Sequence, residues 1–142
     1  MSRKITVIGA GNVGATIAYT LSLGDIASEI VLIDINKQKV EGEVMDIVQG
    51  TSFREPISVI AGDYEDAKDS HIVIITSGIG RKPGQTRIDL AQTNVNIMKD
   101  IIPQIPTGLS GCILTQVSDV EDETNGLVTY DRQVVKVSRE RM

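Results

Sequence analysis

The sequence predicts an α/β domain built on a doubly wound parallel sheet, and three observations predict it. Short runs rich in β-branched residues recur at residues 5–8, 30–33 and 72–75, as expected of strands covered on both faces. Segments of helical periodicity separate them. The first run leads into Gly9-Ala10-Gly11-Asn12-Val13-Gly14, and the second closes on Asp34. At 142 residues the chain has the size of one domain, large enough to bury a full core.

The elements follow in order. After the first strand and its glycine turn, a helix is expected from Asn12 to Leu23, ending near Gly24. A second helix follows the strand at 30–33 over residues 37–49, with Asn36 as N-cap and Gly50 as its stop. Val40, Val44, Ile47 and Val48 form its expected buried stripe. After Pro56, residues 57–60 read as a third short strand, and residues 63–69 as an acidic, exposed connection with one helical turn. Thr86 and Asp89 form a capping-box pair that opens a third helix. Ala91, Val95, Met98 and Ile102 share its apolar face until Pro103 ends it, and Met45 and Met98 read as core. Beyond residue 106 the pattern weakens. A strand is expected at 112–117, but Thr115 and Gln116 interrupt it, and each unsatisfied buried polar group costs about 1–3 kcal/mol. Glu121-Asp122-Glu123 reads as solvated, and residues 133–138 as a last strand.

Composition excludes several classes of function. With 41% hydrophobic and 23% charged residues the chain is that of an ordinary globular protein, and no apolar run is long enough to span a membrane. Met-Ser-Arg-Lys leads straight into the first strand, so no signal peptide is expected. Cys112 is the single cysteine, which excludes an intrachain disulfide and points to the cytoplasm; it reads as a small buried residue. A net charge of −5, 3% aromatic residues and no tryptophan argue against nucleic acid and anionic membranes as partners. No metal-ligand spacing stands out, so no metal is expected. His71, the one histidine, starts the strand at 72–75 at the end away from a ligand crevice and reads as a strand-edge residue.

The glycine turn carries the strongest chemical signal. Gly9 permits a tight turn, Gly11 lets a pyrophosphate approach the backbone, and Gly14 lets the next helix pack on the strand. That helix's free N–H groups and positive dipole end suit phosphates. Asp34 stands 20 residues beyond Gly14, at the tip of the second strand. There it suits the diol of an adenine ribose and repels a 2′-phosphate, which predicts NAD in preference to NADP. The whole of residues 1–142 is therefore expected to be one dinucleotide-binding domain, with 106–142 as an atypical tail.

Thr76-Ser77-Gly78-Ile79-Gly80-Arg81-Lys82-Pro83-Gly84-Gln85-Thr86-Arg87 adds a further signature. Together with the glycine turn and Asp34, it resembles the NAD-dependent lactate/malate dehydrogenases over roughly residues 3–105. The resemblance implies a Rossmann NAD-binding domain. It implies that Gly9, Ala10, Gly11, Asn12, Val13 and Gly14 hold the pyrophosphate and Asp34 the ribose, with Thr76, Gly78, Asn94 and Val117 along the rest of the cofactor. It implies a 2-hydroxy or 2-keto acid as substrate, with Arg87 polarising the carbonyl and Arg81 selecting the variable end. Arg81 favours malate over lactate, whereas residues 41–46 and 94–97 resemble the lactate branch.

The likeness to the family is degraded after residue 106. Val117-Ser118-Asp119-Val120-Glu121-Asp122 matches the family's V-S-N-P-V-D, with Asp119 where an asparagine orients substrate and Val120 where a proline fixes the turn. The family's catalytic Asp–His pair and third substrate arginine have no counterpart in residues 1–142. The substrate domain is therefore expected to be absent and the chain alone inactive. A non-catalytic nucleotide-binding or regulatory module is the alternative, and a homo-oligomer is left open.

Overall fold

Apolar runs bury themselves on both faces only when helices cover the sheet on either side; the runs at 5–8 and 30–33 are buried in that way, whereas the run at 72–75 is half-buried with Ile72 exposed, contrary to expectation. In the computed structural model, the residues described are 3–51, 56–80, 82–106, 108, 110, 111, 113, 131 and 133. The chain divides into two compact units, Met1–Thr107 and Gly108–Met142. The first contains every element named below.

Four parallel strands, β1 (Lys4–Ile8), β2 (Glu29–Ile33), β3 (Ser58–Ala61) and β4 (Ile72–Ile75), stand in the order β3-β2-β1-β4. The sequence therefore builds outward in one direction through β2 and β3, then crosses to the other side of β1 with β4. Ile5 lies between Ile30 and Ile72, and Val7 between Leu32 and Ile74. Alternation along these strands divides the core. Ile5, Val7, Ile30 and Leu32 pack on one face with Val40, Val44 and Ile47, while Ile8, Val31 and Ile33 pack on the other with Ala67 and Ile101. Thr6 is fully buried, and its hydroxyl is satisfied by Ser70 Oγ at 2.7 Å.

Three helices cover the sheet: α1 (Asn12–Leu23), α2 (Lys37–Thr51) and α3 (Arg87–Ile101). The buried positions of α1 are Gly14, Ala18 and Ser22, a stripe at four-residue spacing whose small side chains let the helix lie close to the sheet. Asn36 caps α2 as expected, accepting from the Lys39 amide at 3.1 Å. Gly50 does not stop α2: the helix runs one residue further, and Thr51 Oγ1 donates to Val48 O at 2.8 Å. Val48 is 42% exposed and Met45 62%, so neither belongs to the core stripe as expected. At about 100° per residue Val48 sits about 80° round the axis from Val40, at the margin of the buried face, and Met45 lies well beyond it.

A 3₁₀ turn at Tyr64–Ala67, capped by Asp63 and Asp66, forms the acidic connection. The Thr86–Asp89 capping box opens α3 as expected, and Pro103 falls in a terminal 3₁₀ turn, Ile102–Gln104. The inner face of α3 differs from expectation. Ala91, Val95 and Ile102 are exposed and Met98 is half-buried; the inner side runs through half-buried Leu90, Asn94 and Ile97 to buried Ile101, displaced by one residue. Both stripes carry apolar residues at the same period, and packing against β1 and β2 selects between them. Apart from Ile113 and Gln133, the strands expected at 112–117 and 133–138, the acidic stretch at 121–123 and Cys112 lie outside the described residues. Among the described residues no helix is long and apolar enough to cross a membrane.

Candidate nucleotide site at the carboxyl ends of the strands

The chain order reverses between β1 and β4, and a crevice outside the carboxyl ends of such strands is where open α/β sheets take ligands. The glycine turn leaves β1 at this point. Gly9 has φ +107, a conformation that L side chains rarely adopt. Its N–H donates to Ile33 O at 2.7 Å, so the turn is tied to the end of β2. A Cβ on Gly9 would lie 2.7 Å from Ser77 N, and one on Gly14 would overlap the carbonyl oxygen of Gly9. Gly11 is different: nothing lies within 4 Å of a Cβ built there. Two of the three glycines thus serve packing, and the third faces open space.

That space is suited to an anion. Gly11 is the N-cap of α1 and no side chain caps the helix. The first intrahelical bond shown runs from the Ala15 amide to Gly11 O at 2.9 Å. The amides before Ala15 have no intrahelical acceptor, which is the donor set that binds phosphate. Gly11, Asn12 and Val13 are exposed, while Ala10 and Gly14 are buried beneath them.

Two side chains brace the turn. Asp34 Oδ2 accepts from the Ala10 amide at 2.7 Å, and Oδ1 accepts from the Asn36 amide at 3.0 Å. A carboxylate has about four lone-pair sites, so about two remain for a diol. Directly after β4, the Thr76 hydroxyl donates to Gly9 O at 3.0 Å, with Ile8 O at 3.4 Å. Ile35, directly after Asp34, is 93% exposed.

The segment after β4 is tied to α3. The Ile79 amide donates to Asn94 Oδ1 at 2.9 Å, Asn94 Nδ2 reaches Ile79 O at 3.4 Å, and a Cβ on Gly78 would lie 3.2 Å from Asn94 Oδ1. Asn94 therefore acts first on the loop backbone. Gln85 closes a turn on Lys82, with Gly84 at φ +82, and Arg87 begins α3. At the helix start, the Thr86 hydroxyl and then the Thr86 amide hold the Asp89 carboxyl below the ordinary aspartate range, against a smaller desolvation effect.

The structure brings Gly9, Ala10, Gly11, Gly14, Asp34 and Thr76 together and joins Gly78 to Asn94. Arg81, Val117 and Asp119 lie outside the described residues. His71 stands at the opposite end of the sheet, where its Nδ1 accepts from the Lys4 amide at 3.3 Å. No cluster of metal-ligating side chains occurs among the described residues. Two features escaped the sequence reading. Ile35 carried a usable signal, as an apolar residue directly beyond the end of a strand. The ion pair between Lys37 Nζ and Asp63 Oδ1 carried none, since its partners are 26 residues apart.

Comparison with known proteins agrees with this geometry. The family described as lactate/malate dehydrogenase, NAD binding domain, matches residues 3–135. An L-lactate dehydrogenase of Clostridium botulinum is 50% identical over 127 residues, covering 89% of this chain and 40% of that protein. A minor L-lactate dehydrogenase from Enterococcus mundtii in its ligand-bound form has a TM-score of 0.71 and 44% identity, over 73% of this chain and 33% of that one. A malate dehydrogenase from Archaeoglobus fulgidus in complex with NADH has a TM-score of 0.66 and 41% identity, over 71% and 35%. The chain spans about 40% of the length of the curated relatives it matches.

Proposed function

This chain belongs to the lactate/malate dehydrogenase family, as its NAD-binding domain, and on that premise we propose that it is the cofactor half of an oxidoreductase acting on a 2-hydroxy acid. The observation that carries this reading is the open space over Gly11, set beside a carboxylate already anchored at the end of β2. Residues 9–14, with the first turn of α1, hold the pyrophosphate. Asp34 accepts from the ribose hydroxyls, and Ile35 offers the adenine an apolar flank. Thr76, Gly78, Asn94 and Val117 serve the nicotinamide side. When bound, NAD supplies the hydride acceptor or donor.

Arg87 stabilises the charge that develops on the substrate carbonyl oxygen. Arg81 pairs bidentately with a second carboxylate, and Asp119 adjoins the substrate. We assign malate and oxaloacetate, because Arg81 acts on the substrate directly. The likeness of residues 41–46 and 94–97 to the lactate branch, and relatives named L-lactate dehydrogenase, favour lactate and pyruvate instead. By itself the 142-residue chain binds NAD without appreciable turnover, because its one histidine stands at the far end of the sheet from the turn. A single cysteine suits a reducing cytoplasm.

Calorimetric titration with NADH and NADPH, followed by assay with oxaloacetate and pyruvate, tests this reading. NADH binding, weaker NADPH binding and no appreciable turnover are expected. Failure to bind NADH would overturn the cofactor assignment, and turnover at ordinary enzyme rates would overturn the assignment of no catalysis by this chain alone.

A further inference from the structure

We propose that Asp63 is a second determinant of cofactor choice, a positioning residue that holds Lys37 away from the 2′ position of the adenine ribose. The inference rests on the NAD reading and extends it to a residue outside the glycine turn. The connection from β2 to α2 is short and tightly bonded. Asp34 accepts from the Asn36 amide, and Asn36 caps the helix that Lys37 begins. The first turn of α2 contains no acidic residue and two lysines, Lys37 and Lys39. Cations here oppose the field of the helix's own N-terminus, yet they stand within a few residues of the carboxylate that meets the ribose. A basic side chain in this neighbourhood is what accommodates a 2′-phosphate in a domain of this type.

Lys37 is committed elsewhere. Its ammonium pairs with Asp63 and also bonds Gly62 O at 3.3 Å, both just past the end of β3. That acceptor pair is held in place. The Gly62 amide donates to Leu32 O at 3.0 Å, and a Cβ on Gly62 would lie 2.6 Å from Val31 Cγ1. The Asp63 amide donates to Asp66 Oδ2 at 2.8 Å in the capping box. With Asp63 present, Lys37 is neutralised and drawn toward β3, and Asp34 alone addresses the 2′ position. With Asp63 neutral, Lys37 gains the freedom to meet a phosphate dianion.

The test uses the full chain and four forms: unmodified, Asp63→Asn, Lys37→Ala and the double variant. Asparagine keeps the capping ability of residue 63 and removes only its charge. Fluorescence titration with NADH and NADPH gives the two dissociation constants at low salt, with thermal melting to confirm folding. Asp63→Asn should tighten NADPH about fivefold and leave NADH within about twofold, the scale of an exposed ion pair. Adding Lys37→Ala should abolish the gain, and raising the salt should shrink it. Lys37→Ala alone should weaken NADPH further, because it uncovers Asp63; this variant leaves the cap untouched and decides the matter if Asp63→Asn does not fold. Equal shifts for both cofactors, an unmoved ratio, or a gain that survives loss of Lys37 would overturn the inference while NADH binding stands. No NADH binding by the unmodified chain would overturn both it and the cofactor reading.

Discussion

Replacing Asp34 with alanine removes two things at once, and the structure allows them to be separated. The carboxylate accepts from the Ala10 and Asn36 amides at 2.7 and 3.0 Å. Bonds to charged acceptors contribute about 1.5–3 kcal/mol each, but the exposed Asn36 amide recovers water, so the net loss is about 1.5 kcal/mol. For a unit of this size that lowers the melting temperature by about 6–12 °C. Loss of the ribose acceptor should weaken NADH by about 10–100-fold, the equivalent of one charge-assisted bond. NADPH loses less, because repulsion of its 2′-phosphate disappears together with the support of the turn. The ratio of the two dissociation constants should therefore move toward unity. Differential scanning fluorimetry of the free protein and titration with both cofactors measure the two effects independently. A lower melting temperature with an unchanged NADH-to-NADPH ratio would show that Asp34 is a brace for the turn and does not read the ribose.

Five further substitutions probe the rest of the domain. Gly14→Ala should destabilise the free protein by about 1–3 kcal/mol or prevent folding, since its methyl overlaps Gly9 O; Gly11→Ala should melt almost normally yet weaken NADH about tenfold or more, because the methyl enters the space left for phosphate. Equal effects in both assays would refute the division of roles. Asp89 has a folded-state pKa below its ordinary value, so its cap stabilises α3 fully above the ordinary aspartate range and the contribution is lost as pH falls through the depressed value. The difference in urea midpoint between the chain and Asp89→Asn should be constant near neutrality and shrink toward zero in acid; a difference independent of pH would contradict the cap's charge. With this chain joined to a substrate domain of the family, and with asparagine and proline at 119 and 120, Arg81→Gln should shift preference from oxaloacetate toward pyruvate by about a hundredfold, whereas Arg87→Gln should depress turnover on both; an unchanged oxaloacetate-to-pyruvate ratio would remove the case for malate.

Legibility in the sequence followed the range of the interactions. Strands β1, β2 and β4 and the whole of α1 were readable because each depends on neighbours: a β-branched run, a glycine turn, a helix that ends at Gly24. The Thr86–Asp89 cap was readable for the same reason. Gly50 was misread because a helix end is decided by where its last carbonyls find partners, and the Thr51 hydroxyl supplies one inside the helix. The inner face of α3 was misread because Val95 and Ile102 make as good an apolar stripe as Ile97 and Ile101, and the sheet decides between them. The glycine turn itself was plain, but its bracing was not. Thr76 reaches Gly9 across 67 residues, and no spacing rule connects them.

That bracing bears on how cofactor choice can change in such a domain. In the proposed function Asp34 meets the ribose with the same carboxylate that holds Ala10, so on that proposal any substitution there alters the phosphate cradle as well as the selectivity. Thr76 holds Gly9 from the other side, which limits the movement and keeps the turn from collapsing when one brace is lost. A cradle fixed before binding has less ordering entropy to lose when the cofactor arrives, so loosening it weakens both cofactors alike. Among the described residues Asp63 shares no hydrogen bond with the turn, and its partners are Lys37 and its own 3₁₀ cap. Selectivity tuned through Asp63 and Lys37 therefore leaves the cradle intact, and selectivity tuned through Asp34 does not. A difference in NADH affinity between Asp34→Ala and Asp63→Asn, with NADPH improved relative to NADH in both, is the outcome that this arrangement requires.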